Sequence, residues 1–319
     1  GPARAGAMPP APAEDEEQEQ PLAEPLMEFS NIGRTVDGTG FAFRSATCTG
    51  RRIGVIKAIQ AYSHLQTIDL SKNAIKDVAP LKGLSFLVSL SLADNAVGSL
   101  KGWESEEEPP FPYLAHLDLS GNNLAALPPL PMKGLKTVSF ARNDIGTCQE
   151  FGGHERLEAL DLADQRASKI TSLAGVGGMP LLKKLDVSGN ELEDANGLAE
   201  LPALQDLGLA RNKLQALEGP WQELGELQRL DLSGCRLASA KALEALRDLP
   251  KLRALEVREN PFCEALEAGL RTEVLICHWR LTSIDGQPVT PEELESARQL
   301  NVQRAEEAAR ARAEEEAAA

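Results

Sequence analysis

Aromatic and sulfur-containing side chains are scarce in this sequence. Its 319 residues include three tryptophans, two tyrosines, eight phenylalanines and five cysteines. No two cysteines stand within three residues of each other, so the CxxC half of a zinc site is absent, and five is an odd number for a disulfide framework. We therefore expect reduced, buried thiols in a cytosolic protein.

Long apolar runs and excess positive charge are also missing. No apolar run reaches 18 residues, so no membrane-spanning helix is predicted. The start of the chain is acidic and rich in proline, unlike a signal or transit peptide, and we expect no such leader. The formal net charge is −15, which disfavours binding to phosphate backbones. Neither a membrane nor a nucleic acid is predicted as a partner.

Catalytic motifs are lacking as well. The four histidines are scattered along the chain and show no HExxH or paired Cys/His spacing. There is no P-loop, and the serines of "SGNN" and "LSGC" belong to a repeated phrase rather than to a nucleophile elbow. We predict that the protein is not an enzyme and uses no cofactor, metal or small-molecule substrate.

The abundant feature is a repeated phrase, "LDLSGNNL" and its variants, which fits the template LxxLxLxxN. Steps of 21–27 residues separate nine copies, whose first leucines are Leu65, Leu87, Leu114, Leu135, Leu157, Leu182, Leu204, Leu227 and Leu252. This pattern is identified as the leucine-rich repeat, of the 22-residue subtype found in small cytosolic and ciliary proteins. It predicts an α/β fold, a right-handed solenoid with a parallel β-sheet on the concave face and short helices or 3₁₀ turns on the convex face.

Polar residues at the end of the template are predicted to hold the turns. An asparagine amide there can satisfy backbone groups of the neighbouring turn, which burial would otherwise leave without partners. The predicted structural ladder is Asn73, Asn95, Asn122, Asn143, Asn190, Asn212 and Asn260. Gln165 and Cys235 replace the asparagine in two repeats, and we interpret Cys235 as a structural substitution rather than a redox site.

The repeats are expected to be bounded by caps. Residues 1–30 are acidic and rich in proline, which favours disorder, and residues 31–64 resemble a degenerate repeat that closes the N-terminal end. The nine repeats span 65–260, with an acidic insertion at 103–113 that should form a solvated loop. Residues 261–290 resemble a C-terminal cap, with Trp279 in its core. A charged helix is predicted to project over 291–319, since Thr290 and the following proline form a helix-start signal.

The candidate binding surface is the concave face. At the outward position near the end of each predicted strand, six of nine residues are acidic, and basic residues stand beside them. Asp is also common at this position for structural reasons, and we keep both readings. The candidate residues of the face are Asp69, His116, Asp118, Arg142, Asp161, Lys184, Asp186, Arg211, Arg229, Asp231, Glu256 and Arg258. Trp103 and Trp221 fall in return loops and are candidate anchors at the loop edge, since tryptophan and arginine often dominate interface energies.

Two phrases carry a more specific resemblance. "GVIKAIQAYSHLQTIDLSKNAIKDVAPL" (54–81) and "LRDLPKLRALEVRENP" (246–261), together with the charged C-terminal helix, resemble the leucine-rich-repeat subunit of the radial spokes of cilia and flagella. The resemblance covers roughly residues 40–312. It implies a non-catalytic scaffold of the ciliary or flagellar axoneme, part of the cytoskeleton and of cell motility, whose partners are other spoke proteins.

Two other classes remain open. One is a regulatory subunit like the repeat protein that binds protein phosphatase 1, whose repeats tend to be more regular than the 27-residue step here. The other is a dynein-associated leucine-rich-repeat light chain or a spliceosomal repeat protein, both of which are usually smaller.

Overall fold

The fold is described from a computed structural model in which residues 19–35, 38–103, 110–266 and 269–318 are described. Within these ranges a 13-stranded sheet runs in the order β15-β14-β13-β12-β11-β10-β9-β8-β7-β6-β5-β3-β2, and β1 pairs with β4 separately. The strands are β1 Gln20–Pro21, β2 Glu28–Arg34, β3 Phe41–Thr47, β4 Ile53–Val55, β5 Thr67–Asp69, β6 Ser89–Ser91, β7 His116–Asp118, β8 Thr137–Ser139, β9 Ala159–Asp161, β10 Lys184–Asp186, β11 Asp206–Gly208, β12 Arg229–Asp231, β13 Ala254–Glu256, β14 Ser283–Ile284 and β15 Gln287–Pro288.

The nine strands β5 to β13 are the nine copies of the repeat. Each is three residues long, and its middle residue is buried while the two flanking side chains face outward, as the pleat of a strand requires. Neighbours pair in parallel without slippage; Leu117 of β7, for example, stands opposite Val138 of β8. The solenoid predicted from the sequence is confirmed.

The return segments cross the opposite face as 3₁₀ turns or irregular chain. Among the described residues, five-residue 3₁₀ turns occur at Lys57–Ala61 and Ala79–Gly83. A seven-residue 3₁₀ turn occurs at Ala240–Leu246 and a three-residue one at Trp221–Glu223. Aliphatic side chains from strands and returns fill a single continuous core along the solenoid. One repeat cannot bury this surface alone, so each depends on its neighbours.

A column of asparagines joins successive repeats. Nδ2 of Asn143 donates to the carbonyl oxygens of Phe140, in its own repeat, and Leu119, in the preceding one, both at 2.9 Å. Oδ1 of Asn143 accepts the backbone N–H of Leu124 at 3.0 Å. The pattern is shared by Asn73, Asn95, Asn122, Asn190, Asn212 and Asn260. Each amide therefore satisfies at least three backbone groups and ties two repeats together.

The two exceptions in this column behave differently. Gln165 reproduces the asparagine pattern: its Nε2 donates to Phe140 and Leu162, and its Oε1 accepts from Ile145, each at 3.0 Å. Cys235 makes one weak contact, from Sγ to the carbonyl oxygen of Leu209 at 3.4 Å. The repeat of Cys235 is consequently held less tightly than its neighbours.

The residue just before the asparagine column always has a left-handed backbone, with φ between 53° and 68°. We call this set the left-handed column: Lys72, Asp94, Gly121, Arg142, Asp164, Gly189, Arg211, Gly234 and Glu259. At Gly121 and Gly189 a Cβ atom would also overlap the carboxylate of the preceding column member, Asp94 or Asp164. The left-handed backbone favours glycine at these two positions, and the close approach of the carboxylate sets them apart from the other column members, six of which are not glycine.

The N-terminal end differs from the expected disorder at residues 19–30. This segment forms β1, a 3₁₀ turn at Glu24–Leu26 and the start of β2, which pairs antiparallel with β3. Leu22 and Met27 are buried, so a few apolar side chains within an acidic stretch supply enough burial to fix it. Residues 1–18 lie outside the described residues. β3 in turn pairs in parallel with β5 and continues the repeat pattern.

The C-terminal end is closed by helices. α1 (Pro261–Leu266) and α2 (Leu270–Cys277) precede the short β14–β15 hairpin, and α3 spans Pro291–Ala318. Thr290 and Glu293 form a reciprocal capping box at the start of α3, with Thr290 N–H donating to Oε2 at 2.8 Å and Glu293 N–H to Oγ1 at 3.3 Å. Glu293 also binds Arg271.

Beyond its first turns, α3 has one further ion pair to the cap among the described residues, between Arg304 and Glu273 of α2 at 2.5 Å. Ala297 of α3 is buried as part of the hydrophobic core. Side chains from 301 to 314 are exposed, so this part of the helix extends away from the cap.

Candidate interaction surface

A groove of about 740 Å³ runs along the exposed face of the sheet from β6 to β12. Four aspartates of the predicted face line it, together with His116 and Lys184. They are Asp118, Asp161, Asp186 and Asp231. The outward direction of every first and third strand residue brings these side chains into one row although they are far apart in the chain.

The same aspartates also have a structural task. Oδ1 of Asp118, Asp186 and Asp231 accepts the backbone N–H of the serine two residues later at 2.9 Å. Asp161 does the same for Ala163 at 3.0 Å and also accepts from the hydroxyl of Ser139 at 2.8 Å. Only part of each carboxylate is therefore available to a partner, but the charge remains at the surface.

Asp161 lies among the other carboxylates of this row. Burial raises the pKa of its carboxyl, and the charges of Asp186 and Asp118 raise that pKa further, against the lowering effect of the bonds from Ala163 and Ser139. A cationic side chain placed in the groove would relieve this repulsion.

The remaining candidate residues of the face do not line the groove. Arg229 stands on β12 and binds Asp206 at 2.6 Å, an acidic groove residue that the sequence analysis missed. Arg258 binds Glu256 at 3.0 Å. Asp69 lies on β5, beyond the N-terminal end of the groove, where its Oδ1 accepts the N–H of Ser71.

Arg142 and Arg211 belong to the left-handed column at the edge of the sheet. Arg142 reaches back to Asp94 at 3.1 Å, and Arg211 reaches back to Asp164 at 2.8 Å. Each ion pair spans two repeats and passes over the glycine between them, Gly121 or Gly189. In the sequence, these two ion pairs are indicated by Asp, Gly and Arg at the same position of three successive repeats. The pattern becomes visible only once the repeats are aligned.

Trp103 and Trp221, the two candidate anchors, are buried. Their side chains are 1% and 3% exposed, and each Nε1–H donates to a backbone carbonyl oxygen, of Val78 at 3.2 Å and Leu217 at 3.0 Å. Both rings pack in the core, and neither is accessible to a partner. Trp279 differs in the other sense: predicted in the core of the cap, it is 36% exposed. Residues 104–109 of the acidic insertion lie outside the described residues.

Burial raises the pKa of all five cysteine thiols. Burial raises the pKa of Cys235 to about 11 and that of Cys148 to about 12. Across the described ranges, no group of three or more His, Cys, Asp or Glu side chains is placed to hold a metal ion, and no helix there is long and apolar enough to cross a bilayer.

The repeat register and the amide ladder are those of the leucine-rich-repeat fold. Models described as "Leucine Rich repeat" and "Leucine Rich Repeat" match residues 63–79 and 178–197, and 113–135, respectively. The chain is 29% identical over 303 residues to leucine-rich repeat-containing protein 23 of Bos taurus, covering 88% of this chain and 80% of that protein.

A second relative has a name that points to cilia. Cilia- and flagella-associated protein 410 of Homo sapiens is 36% identical over 116 residues, which cover 36% of this chain and 45% of that protein. Among solved structures, the TLR13–ssRNA13 complex superimposes with a TM-score of 0.54 at 21% identity, over 80% of this chain and 40% of that chain. This structural likeness shows the fold alone.

Proposed function

We propose that the chain is a non-catalytic scaffold that binds other proteins in the ciliary or flagellar axoneme, as a subunit of the radial spokes that contribute to motility. The observation that carries the proposal is the negative groove on a sheet fixed by the amide ladder. A rigid surface orders little on binding, so more of the interaction energy is retained as affinity.

The groove suits a partner segment with several basic side chains. The acidic row occupies the third position of strands that lie about 4.8 Å apart, with Ser139 on β8 and Gly208 on β11 between its carboxylates. Lys184 lies beside the row at the first position of β10, which selects against a uniformly basic partner. The similarity to a cilia- and flagella-associated protein supports a ciliary location.

The assembly is tested by cross-linking mass spectrometry on salt-washed axonemes from the source organism. Cross-links from residues near the groove, such as Lys184, to radial-spoke subunits are expected. Recovery of the chain only in a soluble complex with a phosphatase, and its absence from axonemes, would contradict the spoke assignment.

The groove is tested with a variant that keeps its structural bonds. Asp161→Asn, Asp186→Asn and Asp231→Asn together remove three charges while retaining an oxygen that can accept the turn N–H. We expect loss of the cross-linked partners. The matched control removes three exposed charges outside the groove: Glu150→Gln, Glu193→Gln and Glu218→Gln. Equal loss with both variants would show that only net charge matters.

A further inference from the structure

The positions three residues ahead of each strand form a column of their own on the loops that enter the sheet. Its first members in the nine repeats are His64, Phe86 and Tyr113, whose rings stack in sequence. Ring centroids are 5.8 Å apart for His64 and Phe86 and 6.4 Å apart for Phe86 and Tyr113, with interplanar angles of 10° and 9°. We call these three side chains the aromatic stack.

The stack stops abruptly at a glycine. Because His116 pairs with Thr137 and Thr137 with Ala159, the next two members of the column are Gly134 and Arg156. Gly134 has no side chain to cover the outer face of Tyr113, and Tyr113 is 61% exposed. A further ring at the spacing of the stack would stand over Gly134, between Tyr113 and Arg156.

The remainder of the column has a different character. Towards the C-terminal end it carries charges that are already paired, as in the ion pair of Lys251 with Glu226 at 2.7 Å. An exposed aromatic face is therefore confined to one place in the column. The outer face of Tyr113 is therefore the place where the aromatic stack can accept a further ring.

The charges around Gly134 favour an acidic neighbour. Lys133, Lys136 and Arg156 are exposed, and within the described part of the chain none of the three has an ion-pair partner. Of the acids in the following repeat, Glu158 is bound to Lys183 at 2.7 Å, while Glu155 is exposed. Lys136 also acts on Glu158 and lowers the pKa of its carboxyl. Among the described residues, the cations Lys133, Lys136, Arg156 and Lys183 still outnumber the acids Glu155 and Glu158 around this position.

We propose that Gly134 marks the docking position of an aromatic side chain from a partner protein, carried on a segment with acidic flanking residues. The partner ring stacks on the outer face of Tyr113 and continues the aromatic stack by one ring, and the flanking carboxylates bind Lys133, Lys136 and Arg156. Arg156 closes the far side, where a guanidinium plane stacks well on an aromatic ring. This site is separate from the acidic groove and selects the opposite charge.

The test uses the full chain and a defined probe, acetyl-Asp-Glu-Gly-(4-fluorophenylalanine)-Gly-Glu-Asp-amide, observed by ¹⁹F NMR. We expect a saturable upfield shift, since the fluorinated ring lies over the Tyr113 ring. A probe with leucine in place of the aromatic residue, competed against it, should bind about two- to tenfold more weakly, the range measured for aromatic pairs. Absence of a saturable shift with the wild-type chain would overturn the proposal.

Variants locate the probe. Tyr113→Leu should weaken binding by a similar factor, and because Tyr113 is largely exposed the fold should tolerate it. The matched control is Trp279→Leu, an exposed aromatic residue at the other end of the solenoid, which should leave binding unchanged. Unchanged binding in Tyr113→Leu, or an equal loss in Trp279→Leu, would overturn the proposal.

Two further variants separate this site from its alternatives. Gly134→Leu should block the position with Tyr113 still present; its Cβ would lie 3.3 Å from the carbonyl oxygens of Leu114 and Pro112, so its thermal midpoint is measured alongside. If Gly134→Leu does not fold, Tyr113→Leu decides. The groove variant with three Asp→Asn changes should not weaken the probe, and weakening would place the peptide in the groove and overturn the proposal.

Discussion

Two columns that are adjacent in the sequence follow different rules. The asparagine column is buried, with Asn122 and Asn143 fully inaccessible, and each amide satisfies backbone groups of two repeats. The left-handed column, one residue earlier, is mostly exposed and contains Lys, Asp, Gly, Arg and Glu. The first column requires one particular amide, whereas the second requires a backbone conformation that several residue types can adopt.

The difference shows where variation is tolerated. Replacing a buried amide leaves several backbone groups without partners, so the inner column is nearly constant in chemistry. In the outer column most side chains reach solvent, so charges there can vary and form the ion pairs of Arg142 and Arg211. Two adjacent residues of each repeat therefore have different roles: one stabilises the fold and the other determines the charge of the surface.

The largest expected effect comes from removing an inner amide. Asn143→Ala leaves the carbonyl oxygens of Leu119 and Phe140 and the N–H of Leu124 without their side-chain partner, and it should lower the free energy of unfolding by about 2–4 kcal/mol. Urea unfolding followed by circular dichroism measures it. Asn73→Ala, at the half-buried end of the column, is the control and should cost less because water can replace the amide. Equal losses would mean that burial does not set the cost.

Crowding in the outer column should cost less. Gly121→Ala places a Cβ against Asp94 in a left-handed backbone, and we expect a loss of about 1–2 kcal/mol. Gly234→Ala shares the left-handed φ of 63° but has 3.3 Å to the nearest atom, in Arg211, and should lose less. The double variant Gly121→Ala/Asp94→Ala lacks the crowded carboxylate, so its loss of stability should fall to that of Gly234→Ala. A double variant no more stable than Gly121→Ala would contradict the crowding argument.

Two buried histidines should make the stability of the fold depend on pH. His154 and His278 are buried, each with Nε2 at 3.1 Å from a carbonyl oxygen of the preceding repeat, of Met132 or Leu249. Burial lowers the pKa of both. The unfolded chain therefore binds protons near pH 6.5 that the native chain does not, so stability is present above that pH and is lost as the pH falls below it.

We expect unfolding free energies measured at pH 7.0 and 5.5 to differ by on the order of 1 kcal/mol for each histidine. His154→Gln retains an N–H donor for Met132 without a charge, and it should flatten the pH dependence. The carboxyls of Glu158, Glu191 and Glu293, whose pKa values are lowered by their Lys or Arg partners, act at lower pH. An unchanged slope in His154→Gln would assign the dependence to other groups.

The smallest effect should come from the weakest inner position. Cys235→Ala removes one long sulfur contact, and a loss below about 1 kcal/mol is expected. The thiol should also resist alkylation at pH 8 until urea unfolds the chain, since its pKa is raised to about 11. Rapid alkylation of Cys235 in the native protein would contradict its interpretation as a structural substitution and support a redox role.

The period of the sequence was sufficient to predict the sheet. Leucines at a step of 21–27 residues can share one core only if the repeats stack, and the nine predicted strands occupy the expected positions. The inner hydrogen bonds were predictable from residue type, because an asparagine at a strand end has few alternatives when buried. The role of Gln165 followed the same chemistry with a longer side chain.

Contacts between different repeats were harder to predict. Trp103 stacks edge-on against Phe111 at 4.9 Å and fills the core beneath the second repeat, where its position in a return loop indicated exposure. The pairing of Arg142 with Asp94 depends on the absence of a side chain at Gly121. Such relations join residues in successive or alternate repeats, and single-repeat patterns do not contain them.

The long C-terminal helix determines how far from the end cap a protein bound to its last turns would lie. Its last described attachment is Arg304, and residues 305–318 rise about 21 Å at 1.5 Å per residue. A protein bound to these residues would be held at a fixed stand-off from the end cap rather than on a flexible tether. Deleting seven residues between the cap and the binding site would bring such a partner closer by about 10 Å. Because seven residues make about two full turns, the partner would stay on nearly the same side of the helix.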